Sequence, residues 1–245
     1  MGNMATNTIV RNGLLALGGV MMLITLYLIF IWVPTEKNLG VSQRIFYFHV
    51  PLAWTGFLAF FFVLVGSVGY LWKKTDGWDR MAYAAAEIGV VYTTLLLVTG
   101  ILWSKPVWGV WWDWGDARMM STTVMFFFYL GYLALRRSLP DQEIRAKRSA
   151  ILAIVAFVQV PIVHFSVQWF RTLHQGPTIL RPDIENAPVD PEFARALGVN
   201  MLAFLALFAT LLTLRVTLAA LEADREQGHR GAAGDAVTPP ELGRS

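Results

Sequence analysis

Cysteine is absent from the 245 residues, which excludes disulfides, thiolate metal ligands and attachment of a cofactor through the chain's own thiols. Charge is also scarce. Asp, Glu, Lys and Arg make up 15% of the chain, against roughly a quarter in soluble domains. There is no GxxxxGK[ST] phosphate loop, so the chain hydrolyses no ATP itself, and neither HExxH nor a nucleophile elbow occurs. No hydrolytic constellation is present. The formal charge of +3 does not indicate nucleic-acid binding, because the basic residues gather at the ends of apolar runs.

What is present is apolar surface. Hydrophobic residues account for 56% of the chain, and the mean hydropathy is +0.50. Six runs approach the roughly 20 residues that a spanning helix needs. They are Gly13–Val33, Arg44–Trp72, Met81–Leu102, Ser121–Leu135, Ser149–Phe170 (interrupted by Pro161) and Leu197–Leu218. The first lacks a small-residue cleavage site and reads as a retained span. The expectation is an all-α membrane protein, a bundle of six transmembrane helices. Residues 1–220 would form one domain, followed by a polar, disordered cytoplasmic tail over 221–245.

Orientation follows from the basic residues. Arg11, Lys73, Lys74, Arg80, Arg136, Arg137, Arg145, Lys147, Arg148, Arg215, Arg225, Arg230 and Arg244 fall on one side. Lys37, Arg44, Lys105, Arg118, Arg171, Arg181 and Arg195 fall on the other. The richer side is expected to be cytoplasmic, with both termini.

The outer side then carries Trp103–Ser121, WSKPVWGVWWDWGDARMMS, which holds Trp103, Trp108, Trp111, Trp112 and Trp114. Written as a helix, Trp108, Trp111 and Trp112 fall on one face. The segment is too short between its charges to cross a bilayer and contains Gly109 and Gly115. It is expected to lie along the membrane surface as an amphipathic, Trp-rich platform for a large planar ligand.

Three of the four histidines share that side. His49 lies just inside the second span, His164 about two turns inside the outer end of the fifth, and His174 just past that end; His229 is in the tail. Neutral imidazoles on opposite faces of an iron porphyrin would fill both axial positions, within aromatic walls. His49 and His174 come from different outer segments and can approach from opposite sides, whereas the depth of His164 suits a helix–helix hydrogen bond and ranks it third. Arg44 and Arg118 are candidates for bidentate bonds to haem propionates. Glu87, about two turns into the third span from the inner side, is an intramembrane carboxylate and so a functional candidate by default. It is on the wrong side to touch such a cofactor.

WGVWWDWGDAR resembles the tryptophan-rich WWD signature of haem-handling membrane proteins in cytochrome c maturation. FHVP before it and TLHQGPT after it are similar to the six-span haem exporter protein C family (CcmC), over about Leu14–Leu218. That resemblance implies axial ligation of non-covalent b-type haem by His49 and His174 at the outer, periplasmic face of the inner membrane. The Trp residues, with Gly109 and Asp116, would form the platform and docking surface. It also implies delivery to a membrane-anchored haem chaperone (CcmE), and association with an ATP-binding subunit, a second membrane subunit and a small single-span protein. One departure stands out: the family signature runs W-G-x-W-W-x-W-D-x-R, and here Gly115 is inserted before Asp116. On a helix that insertion turns the Asp116–Arg118 end by about 100°. A second reading is a permease subunit that moves haem or another substrate through the bundle. Beyond Glu87, Thr93, Thr94 and Thr99, however, the spans offer little polar path.

Overall fold

The apolar runs fold as helices because a chain in lipid must satisfy its backbone groups within each segment. The computed structural model describes residues 2–174 and 190–235, with side chains over 9–174, 190–223 and 225. Helix α1 (Gly2–Tyr27) passes into a π-helical turn (Leu28–Trp32), followed by α2 (Gln43–Lys73), α3 (Asp76–Trp108) and α4 (Ala117–Ser138). Then come α5 (Gln142–Phe157), α6 (Gln159–Trp169) and α7 (Pro191–Asp235). Six of these segments are long and apolar enough to cross a membrane, with α5 and α6 forming one span. The protein is an all-α, multi-pass membrane protein, as the runs implied.

Pro161 accounts for the break in the fifth span. Its missing N–H and its ring act on the carbonyl four residues back, which belongs to Phe157, where α5 ends. At the other end of the chain α7 overruns its expected boundary. A disordered tail was expected from 221, but the helix continues through Leu221–Gln227, LEADREQ, to Asp235, because Leu, Ala, Glu, Arg and Gln are good helix formers. Residues 236–245, including Arg244, and Gln175–Thr178 and Arg181 lie outside the described residues, as do the side chains of His229 and Arg230.

Between helices in lipid, close packing replaces the hydrophobic driving force. A Cβ on Gly66 of α2 would stand 2.8 Å from the Trp78 carbonyl oxygen and 2.9 Å from the Ala82 nitrogen of α3. Only glycine admits that backbone approach. Alongside it, Phe60 stacks on Tyr129 of α4 with ring centroids 3.6 Å apart, within a core that includes Val63, Ala85, Met125 and Val163. At the end where α3 begins, charged groups pair. Arg136 donates to both carboxylate oxygens of Asp79 at 2.5 and 2.7 Å. Arg215 of α7 donates to Glu87 at 2.5 and 3.2 Å, and both guanidinium groups lie against the Tyr83 ring. Ionised groups at this depth persist because they are paired.

Pro51 creates the corresponding problem inside α2, where it leaves the carbonyl of Tyr47 without its helical donor. The fully buried Asn200 of α7 donates its side-chain amide to that oxygen. This bond ties α7 to α2 two residues from His49. Asn200→Ala is expected to orphan the carbonyl and destabilise the bundle by about 1–2 kcal/mol, read as a lower unfolding midpoint in detergent. An unchanged midpoint would show that Tyr47 finds another donor.

Candidate functional site

The Trp-rich segment is not one helix. Helix α3 ends at Trp108 because Gly109 takes the left-handed conformation at φ 78°, which costs glycine nothing. Lys105 Nζ donates to the Gly109 carbonyl at 2.8 Å, and Ser104 Oγ to that of Val110 at 2.7 Å. Irregular chain and turns then lead to Asp116. The expected single face of Trp108, Trp111 and Trp112 is therefore corrected, since it required helix on both sides of Gly109. The indoles divide instead into two groups. Trp103, 8% exposed, and Trp108 meet edge to face at 5.5 Å, with Phe46 of α2 beside Trp103 at 6.4 Å. Trp112 and Trp114 meet at 5.8 Å, while Trp111 and Trp114 are 55% and 78% exposed. These contacts are T-shaped or tilted, not coplanar.

Gly115 also behaves differently from a helical insertion. Its N–H donates to Asp113 Oδ1 at 2.8 Å, and the Asp116 N–H to the Asp113 carbonyl at 3.2 Å. Gly115 therefore lies in a turn, where the helical rotation of about 100° does not apply.

Asp116 caps α4, accepting the Met119 N–H at 2.9 Å, in the usual manner of an N-cap carboxylate. It is 1% exposed, and its remaining capacity faces the segment after α6. It accepts the Leu173 N–H at 2.9 Å, the Thr172 hydroxyl, and His174 Nδ1 at 3.1 and 3.3 Å. Burial alone would raise this carboxyl, but the bonds from His174, Thr172 and Met119 outweigh it and hold the group well below the usual carboxylate range. A carboxylate accepting from Nδ1 fixes the tautomer with Nε2 as the acceptor. The His174 ring lies edge-on to Trp108, centroids 4.8 Å apart.

His49 is held by a different device. Thr99 Oγ1 donates to the carbonyl of Leu95 at 2.8 Å and stands 3.0 Å from His49 Nδ1. With its proton on that carbonyl the hydroxyl can accept from Nδ1–H, an arrangement that leaves Nε2 as the acceptor. The ring packs against Gly100, where a Cβ would stand 3.1 Å from His49 Cε1. His174 and Arg118 both lie within electrostatic reach of His49.

Arg118 donates to the His164 carbonyl at 2.9 Å, while its buried Nε–H has no acceptor; the same holds for Arg44 Nε–H and the indole N–H groups of Trp103 and Trp112. Arg44 also lies over the Phe30 ring at 5.9 Å. The His164 ring meets Trp54 at 5.9 Å and Phe165 at 4.9 Å. Trp54 is five residues past His49, about 140° around α2, so His164 packs on another face. Glu87 is bound by Arg215 near the opposite end of the bundle. Thr172 and the fastening role of Thr99 were not foreseen. Thr172 precedes His174 by two residues, but no linear signal joins Thr99 to His49.

Asp116→Ala is expected to cost about 1–3 kcal/mol and to free residues 172–174, detected as faster amide exchange there. Because the folded carboxyl lies below its ordinary 3.8, its stabilising effect is complete above that value and fades as pH falls below it. The stability gap between wild type and Asp116→Asn should thus stay flat from neutral pH to about 5 and narrow in stronger acid. A gap that widened on acidification would contradict an ionised Asp116.

Comparison with known proteins agrees with this architecture. Residues 3–230 match the family described as heme exporter protein C. The protein named heme exporter protein C from Bradyrhizobium diazoefficiens is 38% identical over 178 residues, covering 73% of this chain and 66% of that one. The protein of that name from Escherichia coli (strain K12) is 38% identical over 185 residues, 75% and 72% of the two chains. A putative cytochrome c biosynthesis ccmC-like mitochondrial protein from Arabidopsis thaliana is 34% identical over 190 residues, 77% and 67% of the two. With nearly its whole length matched, this chain belongs to the heme exporter protein C family.

Proposed function

We propose that this protein is a haem carrier of cytochrome c biogenesis. It would take non-covalent b-type haem at the end of the bundle bearing the Trp-rich segment, with His49 and His174 as axial ligands. The observation that carries this reading is the paired treatment of the two imidazoles. Each is held through Nδ1, by Thr99 or by Asp116, so each keeps Nε2 as a lone-pair donor. A group that holds the far ring nitrogen in this way orients a metal-binding histidine and raises its basicity. Two such donors suit an iron whose other four positions a porphyrin fills. The unpartnered Arg118 and Arg44 Nε–H groups suit carboxylates such as haem propionates. Phe46, Trp103 and Trp108 supply apolar wall, and the exposed Trp111 and Trp114 supply surface on which a haem chaperone could dock.

In this reading the chain makes no bond in its cargo. It holds the iron, excludes water and passes haem to a membrane-anchored chaperone, alongside an ATP-binding subunit, a second membrane subunit and a small single-span protein. The Trp-rich end faces the periplasm and both termini the cytoplasm. A permease role finds less support, because Glu87 is engaged by Arg215 and offers no free site along a path.

The test is the absorption spectrum of detergent-purified protein, oxidised and reduced, beside His49→Ala, His174→Ala and His164→Ala. Haem is expected to be lost or spectrally altered in the first two and retained in the third. A change confined to His164→Ala would overturn the ligand pair, and a wild type that takes up no added haem would overturn the carrier reading. Thr99→Val is expected to weaken haem retention by about 10–100-fold, as removal of the group that orients a ligating histidine does, and Thr99→Ser to restore it.

A further inference from the structure

The end of the bundle away from the Trp-rich segment holds a cavity of about 290 Å³. Arg80, Arg137 and Arg145 reach it from α3, α4 and α5, together with Arg136, Asp76, Asp79 and Glu222. Two of its acids are already committed. Asp79 is bound by Arg136 at 2.5 Å, and Glu222 accepts from Arg215 at 3.3 Å. What remains is Asp76 against Arg80, Arg137 and Arg145, and among the described residues none of these three arginines has an ion-pair partner. The Arg145 Nε–H is closed off from solvent and has no acceptor. A buried guanidinium N–H in that condition is unfavourable until an acceptor arrives.

The depth of the cavity indicates where that acceptor comes from. The spans Asp76–Trp108, Ala117–Ser138, Gln142–Trp169 and Pro191–Ala223 each begin or end here, which is headgroup level. Trp72, 81% exposed, stands near the same end with Lys73 Nζ 5.6 Å from its ring, an arrangement typical of a membrane interface. Guanidinium forks match the oxygens of a phosphate, and basic pockets between spans at this depth suit anionic headgroups. We propose that this cavity is a phosphate-class anion site whose occupant is the headgroup of an anionic phospholipid. It is independent of the haem reading, being at the other end of the molecule.

The experiment is native mass spectrometry of the full chain in detergent, titrated with phosphatidylglycerol and, separately, phosphatidylcholine. Phosphatidylglycerol is expected to be retained preferentially. Arg80→Gln, Arg137→Gln and Arg145→Gln together should weaken its retention by about fivefold per arginine. Lys73→Gln with Lys74→Gln, which removes charge outside the cavity, should leave retention unchanged. Arg137→Gln alone, at an exposed position, keeps the test valid if the triple variant fails to fold; about fivefold weakening is expected. Displacement of the lipid by millimolar inorganic phosphate would support the anion site while making its occupant a soluble phosphate. Equal retention of the two lipids, or equal loss in the lysine and arginine variants, would overturn the proposal.

Discussion

The site depends on one buried carboxylate. Asp116 ends a turn, starts α4 and receives the segment that follows α6, through Met119, Thr172, Leu173 and His174. A charge enclosed this fully is tolerable only when its oxygens are saturated with donors. Four donors from two separate parts of the chain meet that requirement. The consequence is positional: one side chain both caps α4 and orients the His174 ring with Nδ1 on the carboxylate.

The opposing histidine is fixed by a weaker but analogous arrangement. Thr99 reaches the helix carbonyl at Leu95 and His49 Nδ1 at once, so a hydroxyl that donates to the carbonyl accepts from the ring. Gly100 lets the imidazole approach α3 closely. Two residues before His49, the carbonyl freed by Pro51 is taken by Asn200, so α7 braces the same turn of α2. The helix irregularity that proline imposes thereby becomes a fastening point. The two ends of the bundle carry their polar groups differently. At the Trp-rich end several donors are left without acceptors, namely the Arg44 and Arg118 Nε–H and two indole N–H groups. At the far end it is the acids that are matched within the chain, Asp79 by Arg136 and Glu87 by Arg215, while among the described residues Arg80, Arg137 and Arg145 are left over.

Much of this was legible in the sequence because lipid imposes one-dimensional rules. Length and apolarity mark a span whatever its neighbours are, so the six spans could be read directly. Element ends were less legible. Pro161 signalled the α5–α6 break, but the extension of α7 past 220 rested on helix propensity in a polar stretch that composition alone marks as tail. The Trp-rich segment misled for a local reason. Its spacing fits a helical face, but Gly109 can adopt a conformation that ends the helix, and the Ser104 and Lys105 bonds to the carbonyls beyond it favour that ending.

By itself the sequence determined the fold class, the two ends of the bundle and the residue types available at each: imidazoles, indoles and arginines at one, a dense set of arginines at the other. Those follow from hydropathy and from chain order, which survive without any knowledge of packing. Only the tertiary structure decided which groups are spent and which are free. Glu87 is bound by Arg215, 128 residues away, Asp116 serves His174 rather than the Trp face, and Thr99 sets His49. Each is a hydrogen bond between segments distant in sequence, and a hydrogen bond is set by angles and ångströms that spacing along a chain does not carry.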